Sequence, residues 1–203
     1  NINKKFKIFP SKKIIFELAH GGACSFRKDL NIFKKFKIIK YKFNGKNINK
    51  KSGSNHIYKT FKKLKSFDYL ISFDGDADRV IIAKKNYGII ESEKLALIFA
   101  KYFSTKKRNK LNIVGTEISN PWLKEQLKKI KIDFVKSKVG DRNVIKKQIK
   151  NKSIFGFETS GHFSFLNSMD GIYTSALFLN VMKKKPQIID QILLQEINYK
   201  QIV

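Results

Sequence analysis

Three carboxylates stand at alternate positions in residues 71–82, Ile-Ser-Phe-Asp-Gly-Asp-Ala-Asp-Arg-Val-Ile-Ile. Asp74, Asp76 and Asp78 alternate with small residues, so the backbone can turn tightly enough for three hard oxygen ligands to converge on one cation. Mg²⁺ takes such ligands and leaves its other positions to water or phosphate oxygens. Arg79 follows at once, and a guanidinium can hold a phosphate through two parallel bonds. Carboxylates, cation and arginine together point to phosphoryl chemistry.

Other readings of the loop are open to test by spacing. An EF-hand also begins Asp-x-Asp-x-Asp, but it needs glycine at loop position six and glutamate at position twelve. Those positions are Arg79 and Lys85, which excludes it. A haloacid-dehalogenase-type phosphotransferase sets Asp-x-Asp after an apolar strand, as Asp74 and Asp76 do, yet it usually carries Thr or Val where Asp78 stands. A solvated Asp/Gly hairpin turn is the remaining alternative.

A second cluster, Glu158-Thr159-Ser160-Gly161-His162, puts a carboxylate, a hydroxyl and an imidazole on one sharp loop. Such groups can hydrogen-bond sugar hydroxyls, with Gly161 letting the backbone come close. In isolation the same residues also fit a Ser/His turn that closes a strand. A serine hydrolase is excluded, because the Gly-x-Ser-x-Gly elbow is absent. Arg142, in Val139-Gly140-Asp141-Arg142, sits at a loop-to-helix junction where it can face phosphate or pair with Asp141.

The elements that must carry these groups read as alternating strands and helices. Strands are predicted over 12–18, 37–41, 67–73 and 80–83, the third delivering the three aspartates and the fourth leading away. A glycine turn at 19–24 leads into a helix ending near Phe36, an amphipathic helix covers 56–65, and another covers 91–103. Residues 105–110 are basic and polar and form the candidate linker. Beyond it come a strand over 111–115, a helix over 121–130 with Ser119 as its cap and Pro121 in its first turn, and strands over 132–136 and 153–157. A long apolar helix runs from Met169 to about Met182, and a final helix covers 188–196. Strand, glycine turn and helix make doubly wound units, which place ligands at the carboxyl ends of strands.

With 203 residues and 42% hydrophobic content, the chain can bury two cores of about 100 residues each. The single cysteine, Cys24, excludes an internal disulfide and suits a reducing compartment. No signal peptide opens the sequence and no apolar run is long enough to cross a bilayer, so the expectation is a soluble cytoplasmic protein with no membrane partner. The net charge of +27 comes from 39 lysines and only four arginines. The lysines are scattered over nearly every segment, which fits a drift toward A/T-rich codons better than a phosphate-tracking face. No aromatic-rich RNA motif or helix-turn-helix is visible, so nucleic acid is not the expected partner.

Asp-Gly-Asp-Ala-Asp-Arg at 74–79 resembles the metal loop of the α-D-phosphohexomutases, in which three aspartates bind Mg²⁺. Four more stretches carry the resemblance. Gly45-x-Asn47-Ile48-Asn49 with Gly53-Ser54-x-His56 is similar to the loop of the bacterial phosphoglucosamine-mutase branch, although an Asx-rich turn would also explain it. Gly-Thr-x-x-Ser-Asn at 115–120 resembles the entry to the family's third domain, and Val-Gly-Asp-Arg at 139–142 its usual run, with Asn143 where tyrosine is common. Gly-x-Glu-x-Ser-Gly-His at 156–162 resembles the sugar-recognition loop, with Phe157 where a small residue is usual, and Asp170-Gly171-Ile172 resembles the segment that follows it. Glu91-Ser92-Glu93 departs from the Asp-Gly-Asp often found in the family.

The resemblance spans residues 12–182 and implies the second and third domains of such an enzyme. The fold class it implies is α/β, with two successive three-layer domains and mixed sheets: an irregular lead-in at 1–10, a metal-loop domain at 11–104 and a sugar-loop domain at 105–203. The implied activity interconverts glucosamine 6-phosphate and glucosamine 1-phosphate through a phosphoserine and a bisphosphorylated sugar. Mg²⁺ on Asp74, Asp76 and Asp78, phosphate contacts from Arg79 and Arg142, and ring contacts from Glu158, Ser160, Gly161 and His162 are the implied roles. The family's Thr-Ala-Ser-His-Asn-type phosphoserine loop and its last domain's Ser-Gly-Thr loop do not occur in these residues. The chain alone is therefore expected to bind metal without turning over sugar, with the phosphoserine and phosphate-binding domains as its flanking partners. A phosphomannomutase or phosphoglucomutase, or a non-catalytic remnant that binds sugar phosphate, is the alternative.

Overall fold

The computed structural model describes residues 12–25, 31–39, 43–105 and 111–197. The expected lead-in at 1–10, the start of the first helix and most of the linker at 105–110 lie outside them. The chain divides into two compact units, Asn1–Ile90 with Asp170–Lys183, and Glu91–Met169 with Lys184–Val203. The units are therefore not the sequence segments 11–104 and 105–203 taken whole, since the helix after Glu91 groups with the second and Asp170–Lys183 with the first.

The first unit is built on β1 (Ile14–Glu17), β2 (Lys37–Ile38), β3 (Tyr69–Phe73), β4 (Val80–Lys84) and β5 (Gly88–Ile89), in the order β2-β1-β3-β4-β5. β1 pairs in parallel with β2 and β3, whereas β3–β4 and β4–β5 are antiparallel. Every residue of β1 and β3 is buried, as a strand covered on both faces requires. Alternation divides them between two cores. Phe16 and Phe73 stack on one face and meet Phe33 of the helical turn α1 (Asn31–Lys34) edge-on, while Tyr69 meets Phe178. Ile15 and Leu70 face the other way, onto Ile57 and Phe61 of α2 (Ile57–Lys63). A 3₁₀ turn at Ser54–His56 precedes α2, so the expected helix over 56–65 is shorter at both ends.

The second unit opens with α3 (Ser92–Ser104), buried continuously from Ser92 to Ala100, as a helix apolar on most sides must be. Its sheet contains β6 (Leu111–Thr116), β7 (Ile132–Ser137), β8 (Gly156–Phe157) and β9 (Phe163–Ser164), in the order β7-β6-β8-β9. β6 pairs in parallel with both β7 and β8, and β8 with β9 antiparallel. α4 (Pro121–Lys129) links β6 to β7, and α5 (Asp141–Asn151) crosses from β7 to β8. Phe99 of α3 meets Phe155, Phe163 and Phe165 edge-on. α6 (Gly171–Lys184) and α7 (Pro186–Leu193) complete the described elements.

Three local expectations are corrected. Asn120, not Ser119, caps α4: its Oδ1 accepts from the Trp122 backbone N–H at 3.0 Å, while Ser119 Oγ lies 3.4 Å from Thr116 Oγ1. Pro121 at the first helical position sets the cap one residue later than the serine. The strand over 153–157 shrinks to Gly156–Phe157, although Ile154 and Phe155 still bond to Asn112 and Val114 of β6. The last helix begins at Pro186 rather than Ile188 and ends at Leu193, because a proline lacking an N–H loses nothing in a first turn.

Candidate functional site

The aspartate loop hangs between antiparallel β3 and β4, with Phe73 paired to Val80 across its base. Ala77 takes the left-handed conformation at φ 64°, which a small side chain permits at modest cost. The loop backbone is gripped by other segments of the unit. Gly22 N–H donates to Gly75 O at 2.6 Å, and a Cβ on Gly75 would come within 2.5 Å of Ile48 Cγ2 and 2.9 Å of Asn49 Nδ2. The glycine turn and the Asn47–Asn49 loop therefore pack against the aspartate loop. Gly171, at the start of α6, donates to Ala77 O at 2.9 Å, and a Cβ there would press on Arg79 O at 2.7 Å. Asp170 caps α6 by accepting from the Tyr173 N–H at 2.8 Å, and burial raises its pKa.

Within this frame the three carboxylates offer oxygen atoms that all lie within 4.8 Å of one another. Asp74 is buried, Asp76 exposed and Asp78 between. Burial is the main cause that pushes Asp78 up to about 7, followed by the negative charges of Asp74 and Asp76, with Arg79 opposing. Such mutual repulsion is what a divalent cation relieves. Hard oxygens in this number and spacing fit Mg²⁺ or a similar cation. Arg79 Nε donates to Asp74 Oδ2 at 2.6 Å, so the arginine expected on phosphate is bonded to the first carboxylate of the cluster.

In the second unit the loop after β8 brings together the residues expected to read a sugar. Glu158 N–H donates to His162 O at 3.0 Å and Gly161, at φ 99°, donates to Glu158 O at 3.1 Å, closing the turn. Ser160 Oγ lies 2.8 Å from His162 Nδ1, and Glu158 Oε2 lies 3.4 Å from the same nitrogen. Glu158 Oε1 accepts from the Gly140 N–H at 2.7 Å, which ties this loop to the start of α5. Arg142 is exposed there, and its backbone N–H, not its guanidinium, is what bonds Asp141, at 2.6 Å. Phe157 is fully buried, stacked on Phe163. Gly115 makes the room: a Cβ on it would reach Phe134 at 2.5 Å and Phe157 at 2.8 Å.

Sequence reading missed several positioning residues. Ser92 Oγ donates to Thr159 O at 2.9 Å, and Glu93 Oε1 accepts from the Asn120 N–H at 3.0 Å, so the start of α3 holds the loops after β6 and β8. Glu17 is a buried carboxylate that accepts from Ser52, Thr60 and Ser72 at 3.1, 2.9 and 2.8 Å. An isolated acid at the end of an apolar strand was its only signal.

Residues 91–199 match the family model described as phosphoglucomutase/phosphomannomutase, alpha/beta/alpha domain III. With more than half of its length matched, the chain belongs to the phosphoglucomutase/phosphomannomutase family. A phosphoglucosamine mutase of Dictyoglomus turgidum is 35% identical over 189 residues, 87% of this chain but 41% of that protein. The chain thus spans about two fifths of the length of the curated relatives it matches. In fold, a phosphoglucomutase/phosphomannomutase family protein of Burkholderia thailandensis superposes with a TM-score of 0.76 at 19% identity, covering 94% of this chain and 44% of that one. The N-acetylphosphoglucosamine mutase of Aspergillus fumigatus, solved with GlcNAc-6P and magnesium, superposes at 0.72 with 16% identity, covering 95% and 46%.

Proposed function

We propose that these residues are the metal-binding and sugar-recognising part of a phosphoglucosamine mutase that interconverts glucosamine 6-phosphate and glucosamine 1-phosphate. The observation that carries the reading is the convergence of three aspartate carboxylates within 4.8 Å beside Arg79, in a chain of the phosphohexomutase family. The packing of Ile48 and Asn49 on Gly75 supports the choice of branch, because the Asn47–Asn49 loop is what resembles the phosphoglucosamine enzymes.

Asp74, Asp76 and Asp78 would hold Mg²⁺, which when bound neutralises phosphate charge. Arg79, fixed at Nε by Asp74, would turn its terminal nitrogens to a phosphate, and Arg142 would take a second phosphate contact. Glu158, Ser160 and His162 would bond ring hydroxyls, with Gly161 allowing close approach. The phosphoryl group would pass from a phosphoserine to the sugar, and the other phosphoryl of the bisphosphorylated intermediate would return to the serine. That serine would belong to a flanking domain, and a further domain would hold the distal phosphate, so the isolated 203 residues would bind metal without turnover. Catalysis of this kind rests on position and electrostatics.

Calorimetry of Mg²⁺ with the 203-residue chain is expected to show one site, lost in D74N and D76N. The natural gene product is expected to convert glucosamine 6-phosphate faster than mannose 6-phosphate or glucose 6-phosphate, and E158A to lose most of that activity at unchanged Mg²⁺ affinity. Preference for another hexose would move the protein to that branch. Metal binding without mutase activity in the natural product would favour a sugar-phosphate-binding remnant, and turnover by the isolated chain would overturn the assignment of the serine.

A further inference from the structure

We propose that the groove between the carboxyl end of β7 and helix α5 is a binding site for a linear polyphosphate group. The groove has a volume of about 450 Å³, within the range of small-ligand sites. Five of its eight lining residues are lysines, Lys136, Lys138, Lys146, Lys147 and Lys150, against a single acid, Glu117. Lysine is common over the whole exposed surface, but here five lysines from two elements are gathered around one concave space.

Two elements supply that charge independently. Lys136 and Lys138 flank buried Ser137 where β7 runs out, and a spacing of two puts both on one side of an extended chain. Lys146, Lys147 and Lys150 recur at helical spacing and share one face of α5. The charges left uncompensated by Glu117 repel one another, and an anion lying along the groove removes that repulsion.

The chemistry of the walls selects the anion. Among the described residues no aromatic side chain lines the groove, so it offers no platform for a base to stack on. Ammonium groups act as point charges that make no planar, bidentate demand, which suits a chain of tetrahedral phosphates. The same chemistry could come from free inorganic polyphosphate or from the phosphate tail of a nucleotide.

The test is a calorimetric titration of the 203-residue chain with tripolyphosphate at low salt in EDTA, where the aspartate loop holds no cation. One saturable site is expected, weakened at least tenfold in K146Q/K147Q/K150Q and less than twofold in K59Q/K62Q/K63Q, which neutralises three lysines of α2. ATP and CTP as parallel ligands separate the sources: equal affinity for both, no tighter than tripolyphosphate, assigns the phosphates alone, whereas a strong preference between the two would require a base contact and overturn the proposal. Lysine-acetylation footprinting of the unaltered chain checks the site without a variant. Protection by tripolyphosphate confined to the groove supports the site. No saturable binding, equal loss in both variants, protection spread over all lysines, tighter binding of long nucleic acid than of tripolyphosphate, or displacement by glucosamine 6-phosphate would each overturn it.

Discussion

Arg79 holds both oxygens of Asp74: its Nε donates to Oδ2 at 2.6 Å and its backbone N–H to Oδ1 at 3.2 Å. Asp74 is only 3% exposed, and a carboxylate so placed is costly unless paired and hydrogen-bonded. Each carboxylate oxygen has a second lone pair, so Asp74 can accept from Arg79 and still face a cation. The arginine thus fixes Asp74 within the aspartate triad, and in the proposed reading its guanidinium would also meet phosphate.

Removing its charge should separate those roles. R79Q is expected to bind Mg²⁺ about three- to tenfold more tightly, since a like charge a few ångströms from the ion is gone, while sugar-phosphate affinity falls. The backbone N–H of residue 79 keeps Oδ1 in place. Weaker Mg²⁺ binding by calorimetry would show that orientation of Asp74 outweighs charge.

Asp78 governs a pH dependence whose sign follows from its raised pKa. The folded chain holds this carboxyl's pKa at about 7, well above the 3.8 of a free aspartate. In EDTA its contribution to stability is therefore fully present below about pH 4 and is lost as pH rises to about 7. Mg²⁺ must displace the same proton, so affinity is expected to climb with pH and level off above about 7. Melting temperatures in EDTA at pH 5 and pH 8 check the first trend and Mg²⁺ calorimetry across the same range the second, and D78N is expected to flatten both.

The Ser92 hydroxyl should matter to a loop 67 residues away, through its bond to Thr159 O. S92A is expected to cost about 1 kcal/mol, the net value of such a bond, and to speed amide exchange at Gly161, whose N–H closes the same turn. S92T should restore protection. Unchanged exchange in S92A would reduce Ser92 to a local contact of α3.

Gly115 and Phe157 form one packing decision. G115A is expected to destabilise by about 1–3 kcal/mol through overpacking against Phe134 and Phe157. F157A alone should cost about 3–5 kcal/mol, but in the G115A background it should cost less, because it vacates space the new methyl needs. Urea unfolding of the three variants measures the coupling, and strict additivity would mean that Phe134 alone sets the limit.

The convergence of Asp74, Asp76 and Asp78 and the closing of the Glu158–His162 turn were legible in the sequence because both are local. Alternation of aspartates with Gly75 and Ala77 decides how tightly the backbone can turn, and the apolar runs on either side already specify β3 and β4. Glu158, Ser160 and His162 lie within five residues, so one turn suffices to bring them together. Caps and ends were harder, as Asn120 and Pro186 show, because they turn on single bonds between neighbours that compete closely in energy.

Sequence alone thus determined which residue types could hold a cation or read a hydroxyl, and where strands and helices would carry them. Only the tertiary structure decided what supports them: Gly75 under Ile48 and Asn49, Glu17 beneath three hydroxyls, Ser92 on Thr159, and the lysines of β7 and α5 around one groove. The reason is physical. Turn geometry and periodicity are set by neighbours a few residues apart, whereas these contacts join segments distant in sequence and exist only once the crossovers have fixed the strand order.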